Sequence, residues 1–205
     1  MLITCYNPAQ LGDVLIILLR QDVSEQEVKR SGDIVEISSK ENGSVLGFNI
    51  FNVSKYLGDI KDQGQIFLNT AKLASLQKQL KLAGFTERLK LEKDSKFVVG
   101  YVEELKDHPD SDHLHITKTR VASDTTLQIV CGAPNIEKGQ LVVVAKVGAM
   151  MPNGAVIWPG KLRGVESDGM ICSARELNLP KAPQKRGIMI LPPEKYHIGM
   201  SFEFN

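Results

Sequence analysis

Aromatic residues make up only 6% of this 205-residue sequence, cysteine occurs three times, and the longest apolar run, Val14 to Leu19, is six residues. A helix crossing a bilayer needs about 20 apolar residues, so no membrane span is predicted. That run reads as a buried strand. A secretory leader begins with basic residues, and Met1 to Gln10 contains neither Lys nor Arg. The protein is expected to be cytoplasmic. Cys5, Cys131 and Cys172 cannot all pair, and none belongs to a Cys-x-x-Cys unit that could begin a zinc or redox site. Buried thiols acting as small apolar groups are expected instead. Charge of one sign is also lacking, because the net charge is +1, so affinity for a polyanion would have to come from a local patch.

The chain does contain one such patch. Between Lys161 and Arg186 six basic residues, Lys161, Arg163, Arg175, Lys181, Lys185 and Arg186, stand against Glu166, Asp168 and Glu176. Its length suits two domains, and a charged stretch between Phe85 and Lys96 with no sustained apolar face marks a boundary. Residues 1–90 read as a small α+β domain. Strands are predicted at Leu2 to Tyr6, Val14 to Arg20, Ile34 to Ser38, Val45 to Val53 and Gln65 to Leu68, with Asn42-Gly43 as a turn. A helix follows in which Asn69 is the N-cap, Leu73, Leu76, Leu80 and Leu82 recur at near-helical spacing, and Gly84 closes the end. Residues 91–205 give strands at Phe97 to Leu105, His115 to Val121, Leu127 to Cys131, Leu141 to Val147 and Gly187 to Leu191. Five short strands with a helical segment at Ala174 to Leu177 suit a small barrel, and the whole protein is mostly β.

Fragments of enzyme motifs fail on spacing. Gly154 to Lys161 has five residues between its glycines where a phosphate-binding loop has four, and Leu162 stands where Ser or Thr is needed. Trp158 and Pro159 there suggest a hairpin. Gly164 to Gly169 places Val165 where a serine nucleophile elbow needs glycine. His108, Asp110, Asp112, His113 and His115 could crowd around a transition metal, but Pro109 indicates a polar turn leading into a strand. No metal, cofactor or catalytic residue is predicted, and the protein is expected not to be an enzyme. From Cys131 to Leu179 the chain combines permissive glycines, small hydroxyls, basic side chains and Met170, the parts of an RNA contact surface.

Three ordered blocks carry a resemblance. His108-Pro109-Asp110-Ser111-Asp112, then Leu127-Gln128-Ile129-Val130-Cys131-Gly132-Ala133-Pro134-Asn135, then Lys161 through Ser173 resemble the EMAP-type tRNA-binding domain over roughly residues 97–205. The resemblance implies a C-terminal OB-fold β-barrel that binds tRNA through its shape and backbone, without catalysis. It implies RNA contacts at Asn135, Lys161, Arg163, Ser167 and Met170, with Ser173 and Arg175 as further candidates. Gly132, Pro134, Gly164 and Gly169 are expected to shape turns, and Val165, Ile171 and Cys172 to fill the core. Where the family has Lys or Arg after His-Pro-x-x-Asp this chain has His113, so weaker or more pH-sensitive binding is expected. The small α+β domain joined to this barrel is similar to the stand-alone YtpR-like tRNA-binding proteins. Stand-alone members of the family pair through the barrel, so that likeness implies a homodimer and leaves the first domain free to meet a protein partner. The rival reading is a protein-interaction or chaperone-like module that keeps the barrel without RNA affinity, which fourteen basic against fourteen acidic residues in 91–205 would favour.

Overall fold

Strand-forming sequence dominates the computed structural model, which describes residues 1–92 and 94–204. The chain divides into two units, Met1–Lys93 and Asp94–Asn205. In the first, β1 (Ile3–Tyr6), helix α1 (Pro8–Leu11), β2 (Val14–Leu18), β3 (Gln26–Ser31), β4 (Ile34–Ser39), β5 (Val45–Phe51), α2 (Ser54–Leu57), β6 (Gly64–Ile66) and α3 (Thr70–Leu82) follow in order. The strands form one antiparallel sheet in the order β3-β4-β5-β2-β1-β6. Alternate residues of the central strands, Leu15, Ile17, Phe48 and Ile50, meet Leu76 and Leu80 of α3 in the core. Each of these six is fully buried.

The ends of α3 are set by their own side chains. Asn69 Oδ1 accepts the Lys72 N–H at 2.8 Å, removing one of the unpaired donors of the first turn. At the other end Gly84 takes φ +89, while Gly84 donates to Lys81 O at 3.1 Å and Phe85 donates to Leu80 O at 2.9 Å. That pair of bonds is a Schellman closure. Asn69→Ala is expected to lower the unfolding free energy by about 1 kcal/mol. A urea midpoint that falls with unchanged slope will show it; an unmoved midpoint would deny the cap its role.

β3 lies outside the predicted strands, because five of its six residues are polar and Val28 is its one apolar side chain. The signal available was Gly32-Asp33, a two-residue turn between β3 and β4 with Gly32 at φ +60. Helices α1 and α2, each one turn long, were also not expected.

The second unit is a barrel-like sheet of the kind expected of an OB-fold. It comprises β7 (Phe97–Asp107), β8 (His115–Arg120), β9 (Thr126–Cys131), β10 (Leu141–Lys146), β11 (Gly160–Leu162), β12 (Val165–Ser167), β13 (Gly169–Ile171) and β14 (Ile190–Leu191). The main ladder runs β13-β10-β7-β8-β9, with β14 also on β10. The ladder is open between β9 and β13. Two bonds bridge that gap: Asp168 donates its N–H to Gln128 O at 2.8 Å, and Val130 donates to Ser167 Oγ at 3.1 Å. Val98, Val102, Ile129, Val142, Val144 and Ile171 fill one side of the sheet. Gly100 lies there because a Cβ would stand 2.6 Å from Val144 and 2.8 Å from Thr119. On the other side Val99, Val143 and Ala145 are covered by Leu177, Leu191 and Phe202, so β7 and β10 are buried on both faces.

Three expectations for this unit change. The fifth barrel strand is β13, whereas the run expected from Gly187 to Leu191 pairs only through Ile190 and Leu191. The hairpin expected at Trp158 and Pro159 falls just beyond them, as β11–β12. Ala174 to Leu177 forms a turn and no regular helix, because Asn178 swings to φ +51 directly after it.

Candidate nucleic-acid interface

The turn between β11 and β12 consists of Arg163 and Gly164, both at positive φ, +44 and +84, and Leu162 faces Val165. Two successive positive φ angles define the type I′ hairpin turn, whose twist matches that of its strands. Glycine adopts this backbone freely, but arginine is strained in it. Arg163 is held by its own guanidinium, whose Nη1 donates to Asp110 O at 2.6 Å.

A buried histidine makes the second tie. His108 is 3% exposed; its Nδ1 accepts the Asp110 N–H at 3.1 Å and its Nε2 lies 3.1 Å from Leu162 O. With Nδ1 accepting, the proton sits on Nε2, which therefore donates to Leu162 O. The His-Pro-Asp turn and the hairpin are thus fastened together by this imidazole as well as by Arg163. Both ring nitrogens being engaged also removes His108 from any metal, and among the described residues no cluster of His, Cys, Asp and Glu could hold one. The polar turn expected at Pro109 is where His108 lies, but its tie to Leu162, 54 residues away, leaves no local signal. His108→Ala is expected to leave the Asp110 N–H unpaired, at about 1–3 kcal/mol, and to strip Leu162 O of the partner it has besides Val165 across the turn. Amide hydrogen exchange across 160–167 should quicken, and unchanged exchange would show that the hairpin does not depend on this ring.

The other end of the hairpin is fixed to the barrel. Gln128 Nε2 donates to Glu166 O at 2.9 Å, and the Ser167 hydroxyl accepts from Val130 and donates to Gly169 O at 3.2 Å. Ser167 is 5% exposed, so its hydroxyl closes the barrel and does not reach solvent. Lys161 stands in solvent opposite Glu166, with Nζ 3.6 Å from the carboxylate. An exposed pair of this kind contributes little and exchanges readily with another anion. Leu162, between the two cations, is also exposed.

The remaining predicted residues fall into two further groups. Met170, paired with Ala145, is partly buried against the cluster that contains Leu177. Ser173 and Glu176 form a reciprocal capping box: Glu176 N–H donates to Ser173 Oγ at 3.2 Å and Ser173 N–H to Glu176 Oε2 at 2.7 Å. Arg175 projects from that turn into solvent. Asn135 is engaged with backbone, its Nδ2 donating to Ile188 O at 3.1 Å and its Oδ1 accepting from Ile188 N at 2.8 Å. Lys161, Arg163 and Ser167 therefore share one hairpin, and no hydrogen bond or ion pair among the described residues joins them to the other two groups.

Beside the hairpin, His113 Nδ1 lies 2.8 Å from Asp112 Oδ1. The hydrogen bond from His113 and, more weakly, the charge of Arg163 hold the Asp112 carboxyl below the usual range. The residue that departs from the family pattern is therefore already paired with an acid. Cys172 is fully buried, and desolvation pushes its thiol up to about 12, too high to supply a thiolate for chemistry.

Residues 97–201 match the family described as "Putative tRNA binding domain", and residues 21–92 match a "Domain of unknown function (DUF4479)". The chain is 47% identical to the "Putative tRNA-binding protein YtpR" of Bacillus subtilis (strain 168), over 97% of this chain and 98% of that protein. It is 51% identical to the phenylalanine–tRNA ligase beta subunit of Oceanobacillus iheyensis over 51% of this chain and 13% of that one. With the beta subunit of Campylobacter jejuni (strain RM1221) the identity is 52%, over 49% of this chain and again 13% of the subunit. The stretch shared with the ligase subunits is thus a small part of them.

Proposed function

This chain belongs to the family of that tRNA binding domain, and on that premise we propose that it binds tRNA through its OB-fold and catalyses no reaction. The observation that carries the site is the β11–β12 hairpin, which presents Lys161 and Arg163 from a base fixed by His108, Gln128 and Ser167. Two cations on a rigid turn suit phosphates at a set spacing, and Leu162 between them offers an apolar surface to an unstacked base. Met170 and Arg175 extend the contact. Asn135, Ser167 and Ser173 act indirectly in this reading, by holding the backbone that presents the contacts.

The absence of chemistry is supported by how the reactive side chains are used. Ser167 donates to a carbonyl, the ring of His108 is occupied at both nitrogens, and the Cys172 thiol is held protonated. In this reading the protein is cytoplasmic and works as a homodimer, with the first unit available to a protein partner. Among the described residues no helix is long and apolar enough to cross a membrane. The family match runs through the blocks that build the hairpin, which favours RNA over a barrel that only docks proteins.

The test is fluorescence anisotropy of labelled bulk tRNA at several salt concentrations, with an RNA duplex of equal length as competitor. Binding that weakens steeply with salt and resists the duplex supports recognition of tRNA shape. Absence of binding at low salt rejects the proposal.

A further inference from the structure

The first unit ends on two unlike sheet edges. One, β6, has only three residues and begins with glycine, a short edge of the kind that discourages pairing. The other, β3, runs for six residues, and no described strand lies beyond it. Its register shows which backbone groups face outward. Ser31 faces Ile34 across a two-residue turn, and such turns close on a pair that exchanges both hydrogen bonds. At the far end Lys40 donates its N–H to Glu25 O at 3.0 Å. Residues 25, 27, 29 and 31 thus bond inward to β4, which leaves the N–H and C=O groups of Gln26, Val28 and Arg30 pointing out.

We propose that this edge pairs with β3 of a second copy of the chain, antiparallel and centred on Val28. Only registers that set outward-facing residues against each other are possible, and this is the one that uses all three. Val28 meets its equivalent, and Gln26 meets Arg30 of the other copy on either side, giving about six hydrogen bonds. The side chains agree with it. Glu27 comes opposite Lys29 of the second copy, twice, whereas a register centred on Lys29 would set lysine against lysine. Opposite charges directly across a strand pair stabilise it and like charges destabilise it.

Val28 adds an apolar argument. Across the sheet it continues the row Ile3, Leu18, Gly47, Ile37, and it is 62% exposed where that row ends. Pairing covers it with the same residue from the second copy. Arg30 is already steadied on that face, its guanidinium 5.2 Å from the centre of the Phe51 ring. The contact is distinct from the pairing through the barrel that the family likeness implies, and it stands whether or not the barrel binds RNA.

Equilibrium sedimentation of the full chain at micromolar concentrations tests it. The unaltered protein should dimerise, and Glu27→Lys or Lys29→Glu should each raise the dissociation constant at least about tenfold, since both set like charges face to face. The double variant E27K/K29E should regain the dimer, and an equimolar mixture of the two single variants should form a mixed one. Val28→Pro, which deletes an outward N–H and spares the ladder to β4, should also yield monomer with an unchanged circular dichroism spectrum. A monomeric starting protein, a dimer indifferent to these changes, or single variants not rescued in combination would each overturn the pairing. The tRNA anisotropy of these variants reads the barrel separately, so failure of one proposal leaves the other open to its own result.

Discussion

Replacing Lys161 and Arg163 together by alanine is expected to weaken tRNA binding by roughly ten- to a hundredfold and to reduce the steepness of its salt dependence by about two, because each phosphate contact releases close to one counterion. The structure separates this loss from unfolding. Neither side chain helps to fix the hairpin at its base, which is held by His108, Gln128 and Ser167. Lys161 gives up an exposed ion pair of little value, and Arg163 gives up one bond to Asp110 O, about 1 kcal/mol. Arg163→Gly sharpens the separation. It removes the same charge while relieving arginine of a positive φ, so it should weaken binding without lowering stability. Anisotropy titrations across salt, with thermal unfolding as control, read both quantities. A folded double variant with an unchanged salt slope would place the phosphate contacts elsewhere on the barrel.

How the hairpin presents these cations was hidden from sequence reasoning for a physical reason. Motif blocks mark where a loop is special, but they do not say whether a hydroxyl faces RNA or closes a barrel. The resemblance implies an RNA contact at Ser167 and makes Ser173 a further candidate; in the structure one bridges β9 to β13 and the other caps a turn. Both are short side chains within reach of their own backbone, where such partners compete with any ligand. The Ser-x-x-Glu spacing at Ser173 and Glu176 was legible as a capping box and was missed. Long-range fastenings are a different matter: His108 to Leu162 and Asn135 to Ile188 span more than fifty residues, and no local pattern encodes them.

Local chemistry was read more fully. The cap at Asn69, the closing Gly84 and the leucines of α3 are all signals within one or two helical turns, and each is found in place. The strands that were predicted are those with a buried face. Of the omitted ones, β3, β11 and β12 have little or none, and β13 buries Ile171 but is only three residues long, so the apolar alternation that reveals a strand is absent or too short in them. Edges and hairpins that carry function are therefore the elements least visible to that method.

Gly47→Ala is expected to be the most destabilising single change in the first unit, at about 3 kcal/mol or more. A Cβ on Gly47 would stand 2.2 Å from the carbonyl oxygen of Ile17 and 3.3 Å from its carbonyl carbon. Side chains at such a distance could rotate away, but these are backbone atoms of β2, the neighbour of β5 in the middle of the sheet. Close by, Leu46 O accepts from both Leu19 N and Arg20 N, and β4 shifts register between Ile37 and Ser38. The chain is thus bent tightly here, and relief requires β2 and β5 to part. Their separation would open the core around Ile17, Phe48 and Leu76. That loss is a large part of the roughly 5–15 kcal/mol that holds an ordinary domain together. The barrel's two clusters share no residue with this core, so tRNA affinity should stay within about threefold of its starting value. Urea unfolding of the full chain, followed beside tRNA anisotropy, measures the two together. Lost stability with retained affinity assigns RNA binding to the barrel alone; affinity that falls with it would make the first unit part of the RNA site.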